Sequence, residues 1–232
     1  MAATSPAEGR RGAAFALAAL LALGPIAARA EGDPLEAVNR RVHGFNREVH
    51  ARLLQPLLDA YRAVVPAPVR QGFANAVGNL SEPVTVASSL AAGRFDLAWN
   101  AAARFGLNST LGLGGAWDAA AARGYPREVF RVADALCHWG LPSGPYLVLP
   151  LLGPSSLRDA GGMLATGAAL SQAVGSDALL AWSSADALVS FAEVDPALRQ
   201  VEHDSLDPYA VLRSVYRQRR ALRCAVDRDP ED

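Results

Sequence analysis

Apolar residues recur at helical spacing over most of the chain. The series Leu35, Val38, Val42, Phe45, Val49, Leu53 and Leu57 advances three or four residues at a time, and Arg40, Arg41, Arg47 and Arg52 with Glu36 and Glu48 fill the opposite face. That period predicts a long amphipathic helix, bent near Pro56. Its start is marked by Asp33-Pro34-Leu35-Glu36, in which Asp33 can cap, Pro34 suits the first helical position and Glu36 sits where a capping box needs it. For a helix in water, the apolar stripe is core and the charged face is solvated.

Pro66-Ala-Pro68-Val-Arg70 breaks this helix, and Gly72, Gly78 and Pro83 punctuate a shorter unit in which Asn75 and Asn79-Leu80-Ser81-Glu82-Pro83 supply capping and turn chemistry. A second helical window opens at Asp96, carries Ala98, Ala101, Ala102 and Phe105 on one face, and ends near Asn108. Gly112-Leu-Gly114-Gly115 follows. It lacks the third glycine of a dinucleotide fingerprint and no strand precedes it, so it reads as a flexible turn. From Leu164 to Phe191 small residues dominate, a composition that lets helices approach closely. Gly175-Ser176-Asp177 separates two helices there, with Asp177 as a cap. Asp207-Pro208-Tyr209 repeats the Asp-Pro start, and the last helix bears Arg213, Arg217 and Arg220 as one basic stripe. Two readings of that stripe stand open: a solvated face, or a docking surface for lipid phosphates or an acidic partner.

One stretch does not fit the helical pattern. Between His138 and Gly162, Pro142, Pro145, Pro150 and Pro154 each remove a backbone donor and fix φ, so no helix can run through them. Yet Tyr146 to Leu152 is almost wholly apolar, unlike a solvent loop, so other groups have to cover and satisfy its backbone. Ser155-Ser156-Leu157-Arg158-Asp159 then places polar and charged side chains directly beside this apolar wall.

Residues 1–30 read as a secretory leader. Arg10 and Arg11 form a basic start, Ala13 to Ala28 is an apolar stretch broken by Gly24-Pro25, and Ala28-Arg29-Ala30 is a small-x-small cleavage site, which makes Glu31 the first mature residue. No later stretch reaches about 18 uninterrupted apolar residues, so no conventional transmembrane helix is expected. The chain is nevertheless 51% hydrophobic. Its 22 basic residues are all arginine and face 23 acidic ones; without residues 1–30 the balance is 19 against 22, a net charge of −3. A nucleic-acid partner is not expected from a slightly acidic balance. Cys137 and Cys224 are the only cysteines, so either one disulfide or two buried thiols is possible, and a lipoprotein-type anchor next to Ala30 is not expected.

Catalytic and cofactor chemistry leaves little trace. There is no Gly-x-Ser-x-Gly elbow and no CxxC. His43 and His50 share a helix face but lie about 10 Å apart along its axis, too far for one metal ion. Neither a cofactor nor a metal is expected, and nothing calls for an enzyme.

Taken together, four ordered stretches are specific. Asp33-Pro34-Leu35-Glu36 precedes Asn39-Arg40 and Phe45-Asn46; then come Pro66-x-Pro68 with Arg70, Asn75, Asn79-Leu80 and Glu82-Pro83; then Arg104-Phe105-x-x-Asn108-Ser109-Thr110-x-Gly112-x-Gly114-Gly115-x-x-Asp118. The last runs from Trp139-Gly140 through Gly144-Pro145-Tyr146, Leu149-Pro150 and Gly153-Pro154 to Leu157-Arg158-Asp159. With these the chain resembles the MlaA (VacJ) family of outer-membrane phospholipid-asymmetry proteins. The resemblance departs at Thr166, where an aspartate is expected, at Asp134 and Cys137, and in the lack of a cysteine after the leader.

The resemblance implies a mainly α single domain whose amphipathic helices form a ring lying in the membrane plane, with a Pro/Gly-rich irregular segment and a polar channel. It implies residues 31–225 as the lipid-transport domain and 226–232 as a polar tail. It further implies a non-enzymatic component on the periplasmic side of the outer membrane. Such a component removes mislocalised phospholipid from the outer leaflet beside a trimeric porin and passes it to a soluble periplasmic carrier. Arg158 and Arg104 are the candidates for the lipid phosphate, since guanidinium binds phosphate with two donors. The alternative for both is a structural salt bridge, such as Arg158 with Asp159 or Asp118. Asp159, Asn108 and Tyr146 join them as lipid-path candidates. Two other functions stay open: a lipid hydrolase using Ser155 or Ser156 with His138, and a structural envelope adaptor.

Overall fold

In the computed structural model, which describes residues 32 to 228, the expected long helix is present as α1 (Glu36–Val49), a π-helical turn (His50–Leu54) and α2 (Gln55–Val64). The irregularity falls just ahead of Pro56. Helix α3 (Ala67–Asn79) starts behind Pro66, and α4 (Glu82–Ala91) and α5 (Phe95–Thr110) form a closely packed pair. After the turn at Gly112–Gly115 and a short 3-10 segment (Ala121–Arg123) come α6 (Val132–His138), the strands β1 (Tyr146–Leu149) and β2 (Gly153–Ser156), and three long helices. These are α7 (Leu157–Val174), α8 (Ser176–Asp204) and α9 (Pro208–Arg228). The protein is mainly helical, and no helix among the described residues is long and apolar enough to cross a membrane. The leader read at residues 1–30 lies outside the described residues. The tail read at 226–232 begins inside α9, which continues to Arg228.

Helix pairings close on themselves: α3 packs on α5, α5 on α4, α4 on α6, α6 on α9, α9 on α8, and α8 back on α3. Cys137 at the end of α6 and Cys224 on α9 are joined by a disulfide, which answers the open cysteine question.

The polarity of this frame is inverted relative to a protein in water. Among the described residues, thirty large apolar side chains are exposed, while fifteen polar or charged side chains are buried against fourteen apolar ones, eight of which are alanine or cysteine. Soluble monomers rarely expose so much apolar surface. The expectation that the α1 stripe is core is therefore overturned: Leu35, Val38, Phe45, Leu53 and Leu57 are exposed, and the buried residues of α1 and the π turn are Asn39 and His50. Helix α5 shows the same inversion. Ala98, Ala101, Arg104 and Asn108 are buried while Phe95, Trp99 and Phe105 are exposed, so Phe105 does not share the inner face of Ala98 and Ala101.

Three local expectations are also corrected. Asp33 does not cap α1; its carboxylate accepts the Leu35 N–H at 3.0 Å, one Asn39 Nδ2–H shared between its two oxygens at 3.2 and 3.0 Å, and the Tyr209 hydroxyl. Asp177 sits in the first turn of α8, where Gly175 is the cap residue. The Gly112–Gly115 turn is tied down: Gly115 N–H donates to Asn108 O at 2.8 Å, Trp117 N–H to Gly112 O at 2.9 Å, and Gly115 adopts φ 96°. A side chain at Gly112 would collide with the carbonyls of Asn108 and Trp117, so the close approach requires glycine.

Candidate functional site

The proline-studded stretch folds as a two-stranded antiparallel hairpin, with Tyr146 opposite Ser156 and Val148 opposite Pro154. Pro150 begins its turn; Leu151 (φ 65°) and Gly153 (φ 78°) make the reversal. Its open edge is satisfied by side chains of α1. Asn39 donates to Tyr146 O at 3.0 Å and accepts Val148 N–H at 2.9 Å; Asn46, two turns on, donates to Leu149 O at 2.9 Å and accepts Leu151 N–H at 2.8 Å. Two asparagines thus stand in for a third strand, which answers how an apolar, irregular backbone can be buried.

The hairpin leads directly into α7. Gly144 (φ 69°) lies against Leu157, the Leu157 N–H donates to Pro145 O at 3.2 Å, and Ser156 Oγ caps α7 by accepting Asp159 N–H at 3.2 Å. This places Arg158 and Asp159 beside α9. Arg220 donates to Asp134 at 2.5 Å and Asp159 at 2.8 Å, and the Tyr216 hydroxyl donates to Asp159 at 2.6 Å. Arg158 is 5% exposed; its Nη1 donates to Leu141 O at 2.9 Å and its Nη2 to the disulfide sulfur of Cys224 at 3.3 Å. The expected Arg158–Asp159 pair is present only at 3.5 Å. Asp118 is taken by another arginine.

Beside these groups lies a cavity of about 210 Å3 whose wall includes Tyr146, Ser156, Arg158, Tyr216, Arg217 and Arg220. Arg217 stands 6.0 Å over the Tyr146 ring. Burial, together with the positive charge of Arg220, pushes the Arg158 pKa down. Burial also raises the Tyr146 hydroxyl to about 12, helped by the nearby charge of Asp33. The hydroxyl of Tyr146 therefore stays protonated at neutral pH, and the cavity wall is cationic and aromatic.

Arg104 and Asn108 are elsewhere. Arg104, 3% exposed, donates Nε to Glu82 at 2.7 Å, Nη1 to Tyr125 O at 2.7 Å and Nη2 to Asp118 at 3.0 Å, while Asn108 bridges Asp118 and the Ala120 N–H. Protein acceptors therefore occupy all three nitrogens of Arg104, the salt-bridge alternative raised for it. Asn79 donates to Ser109 in the same region. Arg40 forks onto Asp207 at 3.0 and 2.8 Å, and Phe45 is exposed. The basic stripe of α9 is not a solvated face: Arg220 is inside, and Arg213 lies over the Tyr209 ring at 5.6 Å. Sequence reading missed Asp134, Tyr216 and Arg220 as a unit. Its signals were the arginine spacing on α9 and the unusual Asp134-x-x-Cys137 before Trp139.

Ser155 and Ser156 are engaged in local bonds, Ser155 Oγ with Ser156 O at 3.4 Å and Ser156 Oγ as the α7 cap. His43 faces Glu202 at 3.5 Å and His50 faces Asp195 at 3.0 Å.

The described residues thus form a mainly helical frame with polar groups turned inward, apolar side chains turned outward and a basic cavity beside a proline-rich hairpin. The chain belongs to the MlaA family: residues 31–223 match the family described as MlaA lipoprotein. The intermembrane phospholipid transport system lipoprotein MlaA of Escherichia coli (strain K12) is 35% identical over 196 residues, which span 81% of this chain and 76% of that protein. The protein of that name from Haemophilus influenzae is 31% identical over 195 residues, 80% of this chain and 76% of that one. A solved structure reported as the structural basis for maintenance of bacterial outer membrane lipid asymmetry matches with a TM-score of 0.68 at 32% identity, covering 84% of this chain and 100% of that one. The relatives are named as lipoproteins, whereas both cysteines of this chain lie in the Cys137–Cys224 disulfide.

Proposed function

We propose that this chain is a non-enzymatic phospholipid-transport component at the periplasmic side of the outer membrane. In this role it draws mislocalised phospholipid from the outer leaflet and passes it to a soluble periplasmic carrier, working beside a trimeric porin. The observation that carries the reading is the inverted polarity of the frame around a cationic cavity. A charged headgroup cannot pass through hydrocarbon alone, because burying an unpaired ion costs on the order of tens of kcal/mol in the dry limit. A polar, guanidinium-lined path removes that barrier while the acyl chains stay in apolar surroundings. Exposed apolar side chains such as Phe95, Trp99, Leu113 and Trp117 suit helices lying within the interface. On this reading those side chains contribute to membrane attachment. The names of the relatives support the phospholipid and the transport role.

Arg158, Asp159 and Tyr146 belong to the lipid path on this reading, whereas Arg104 and Asn108 act as its structural support. Mass spectrometry of lipids retained by the purified protein tests it: bound, intact phospholipid is the expected finding. Release of free fatty acid on incubation with phospholipid would replace transport by hydrolysis.

A further inference from the structure

The wall of the 210 Å3 cavity holds three guanidiniums, those of Arg158, Arg217 and Arg220, and no carboxylate. Asp134 and Asp159 bind Arg220 through its terminal nitrogens and do not line the space. Two donors are left over. The Nε–H groups of Arg158 and Arg220 are both buried and neither has a hydrogen-bond acceptor in the protein. Asp159 Oδ1, 3.5 Å from Arg158 Nε, does not meet hydrogen-bonding geometry. Arg217 has no carboxylate partner among the described residues. Buried donors without acceptors are costly, roughly 1–3 kcal/mol each and more for charged groups, and both of these belong to guanidiniums in the wall of one cavity.

From this carboxylate-free wall we infer that the cavity between the hairpin, α7 and α9 is a seat for one phosphate-type oxyanion, held among the guanidiniums of Arg158, Arg217 and Arg220. Several features favour a phosphate over water alone. Waters, at about 30 Å3 each, would satisfy the donors but not the excess positive charge of a carboxylate-free wall. Tetrahedral oxygens can meet donors arriving from α7 and α9 at once. The depressed Arg158 pKa has burial as its largest cause and like-charge repulsion from Arg220 as the next, and an anion between the two relieves the repulsion. The disulfide holds the seat together, because Cys224 accepts from Arg158 Nη2 and ties α9 to α6.

The phosphate can belong to a lipid headgroup or be free in solution. The seat itself rests on the geometry; its assignment to a headgroup rests on the transport reading. Calorimetric titration of the purified chain in phosphate-free detergent separates these sources. The titrants are dihexanoyl phosphatidylglycerol, inorganic phosphate and hexanoate, each run also on Arg217→Gln and on Arg219→Gln, a neighbour on α9 that does not line the cavity. The expected result is saturable binding of the short-chain phospholipid, weakened about tenfold or more by Arg217→Gln and unchanged by Arg219→Gln, with hexanoate silent. Inorganic phosphate binding with the same dependence on Arg217 also upholds the seat and assigns it to free phosphate. Binding that ignores Arg217→Gln, or hexanoate binding as tightly as the phospholipid, overturns it. Silence of both phosphate titrants, in protein that still retains lipid by mass spectrometry, overturns the seat while leaving the transport reading standing.

Discussion

Asn39 donates to the carbonyl of Tyr146 across 107 residues of sequence, and the same side chain accepts the Val148 N–H. One buried amide therefore closes two backbone groups of the hairpin that carries the cavity wall. Asn39→Leu should leave the Tyr146 carbonyl, the Val148 N–H and the Asp33 carboxylate short of partners, for a loss of about 2–5 kcal/mol. Asn39→Asp should be no better, since it keeps the acceptor but places a second carboxylate against Asp33. Denaturant midpoints check both; a wild-type midpoint for either would show that the hairpin edge is held by other means.

The Glu82–Arg104 pair is buried on both sides, at 2% and 3% exposure. Arg104→Met strands Glu82 and should cost about 3–5 kcal/mol. Arg104→Lys should recover little, because one ammonium cannot reach Glu82, Tyr125 O and Asp118 in the three directions that the guanidinium spans. Glu82→Leu combined with Arg104→Met should be more stable than Arg104→Met alone. Melting curves of the three variants decide it, and equal loss in all three would remove the buried charge as the cause.

Much of this frame is legible in the chain. The helix starts at Pro66 and Asp207-Pro208, the break at Gly175 and the irregular run after Tyr146 follow from period, proline and glycine, which are local properties. Which face is buried is not local. The α1 stripe reads as core only if water lies outside, whereas Phe45 and Leu53 are exposed in the structure. The site was half legible for a related reason. Arg158 and Asp159 are adjacent in sequence, whereas Arg220 meets Asp134 from 86 residues away, a contact that depends on helix pairing and leaves only a spacing of arginines behind.

The exposed apolar rim should enter lipid. Trp99 and Trp117 are 69% and 67% exposed, so their fluorescence in proteoliposomes should be quenched by brominated acyl chains. Trp99→Ser should lower partitioning into vesicles by about tenfold or more, from the apolar area lost, without lowering the denaturant midpoint. Unquenched tryptophans would place the rim in water or against protein.

Acid should loosen the fold. Burial pushes the carboxyls of Asp33, Asp118 and Asp195 up, but donors outweigh it: Tyr209 and Asn39 for Asp33, Arg104 for Asp118, Arg199 and Arg62 for Asp195. All three end below the ordinary range, and the bond from Arg40 holds Asp207 at about 2. A folded-state pKa below the unfolded value of about 3.9 gives stability that is present above that value and lost as pH falls through the folded one. Burial holds the His43 imidazole below its ordinary value, so stability should begin to fall as pH drops below about 6.5, and the four aspartates should add a further fall below about pH 4, offset in part by Glu82, whose carboxyl burial pushes up. A midpoint that rises on acidification would contradict these four assignments.

The most direct test of the transport reading is the amount of phospholipid in the outer leaflet of cells that lack their own member of the family, with and without this chain. Expression of the chain should lower surface-exposed phospholipid to the level of the parent strain. Arg217→Gln, inserted at the same level, should fall short of it. Protein that inserts normally and leaves outer-leaflet phospholipid as high as in the deletion strain would contradict a role in removing it.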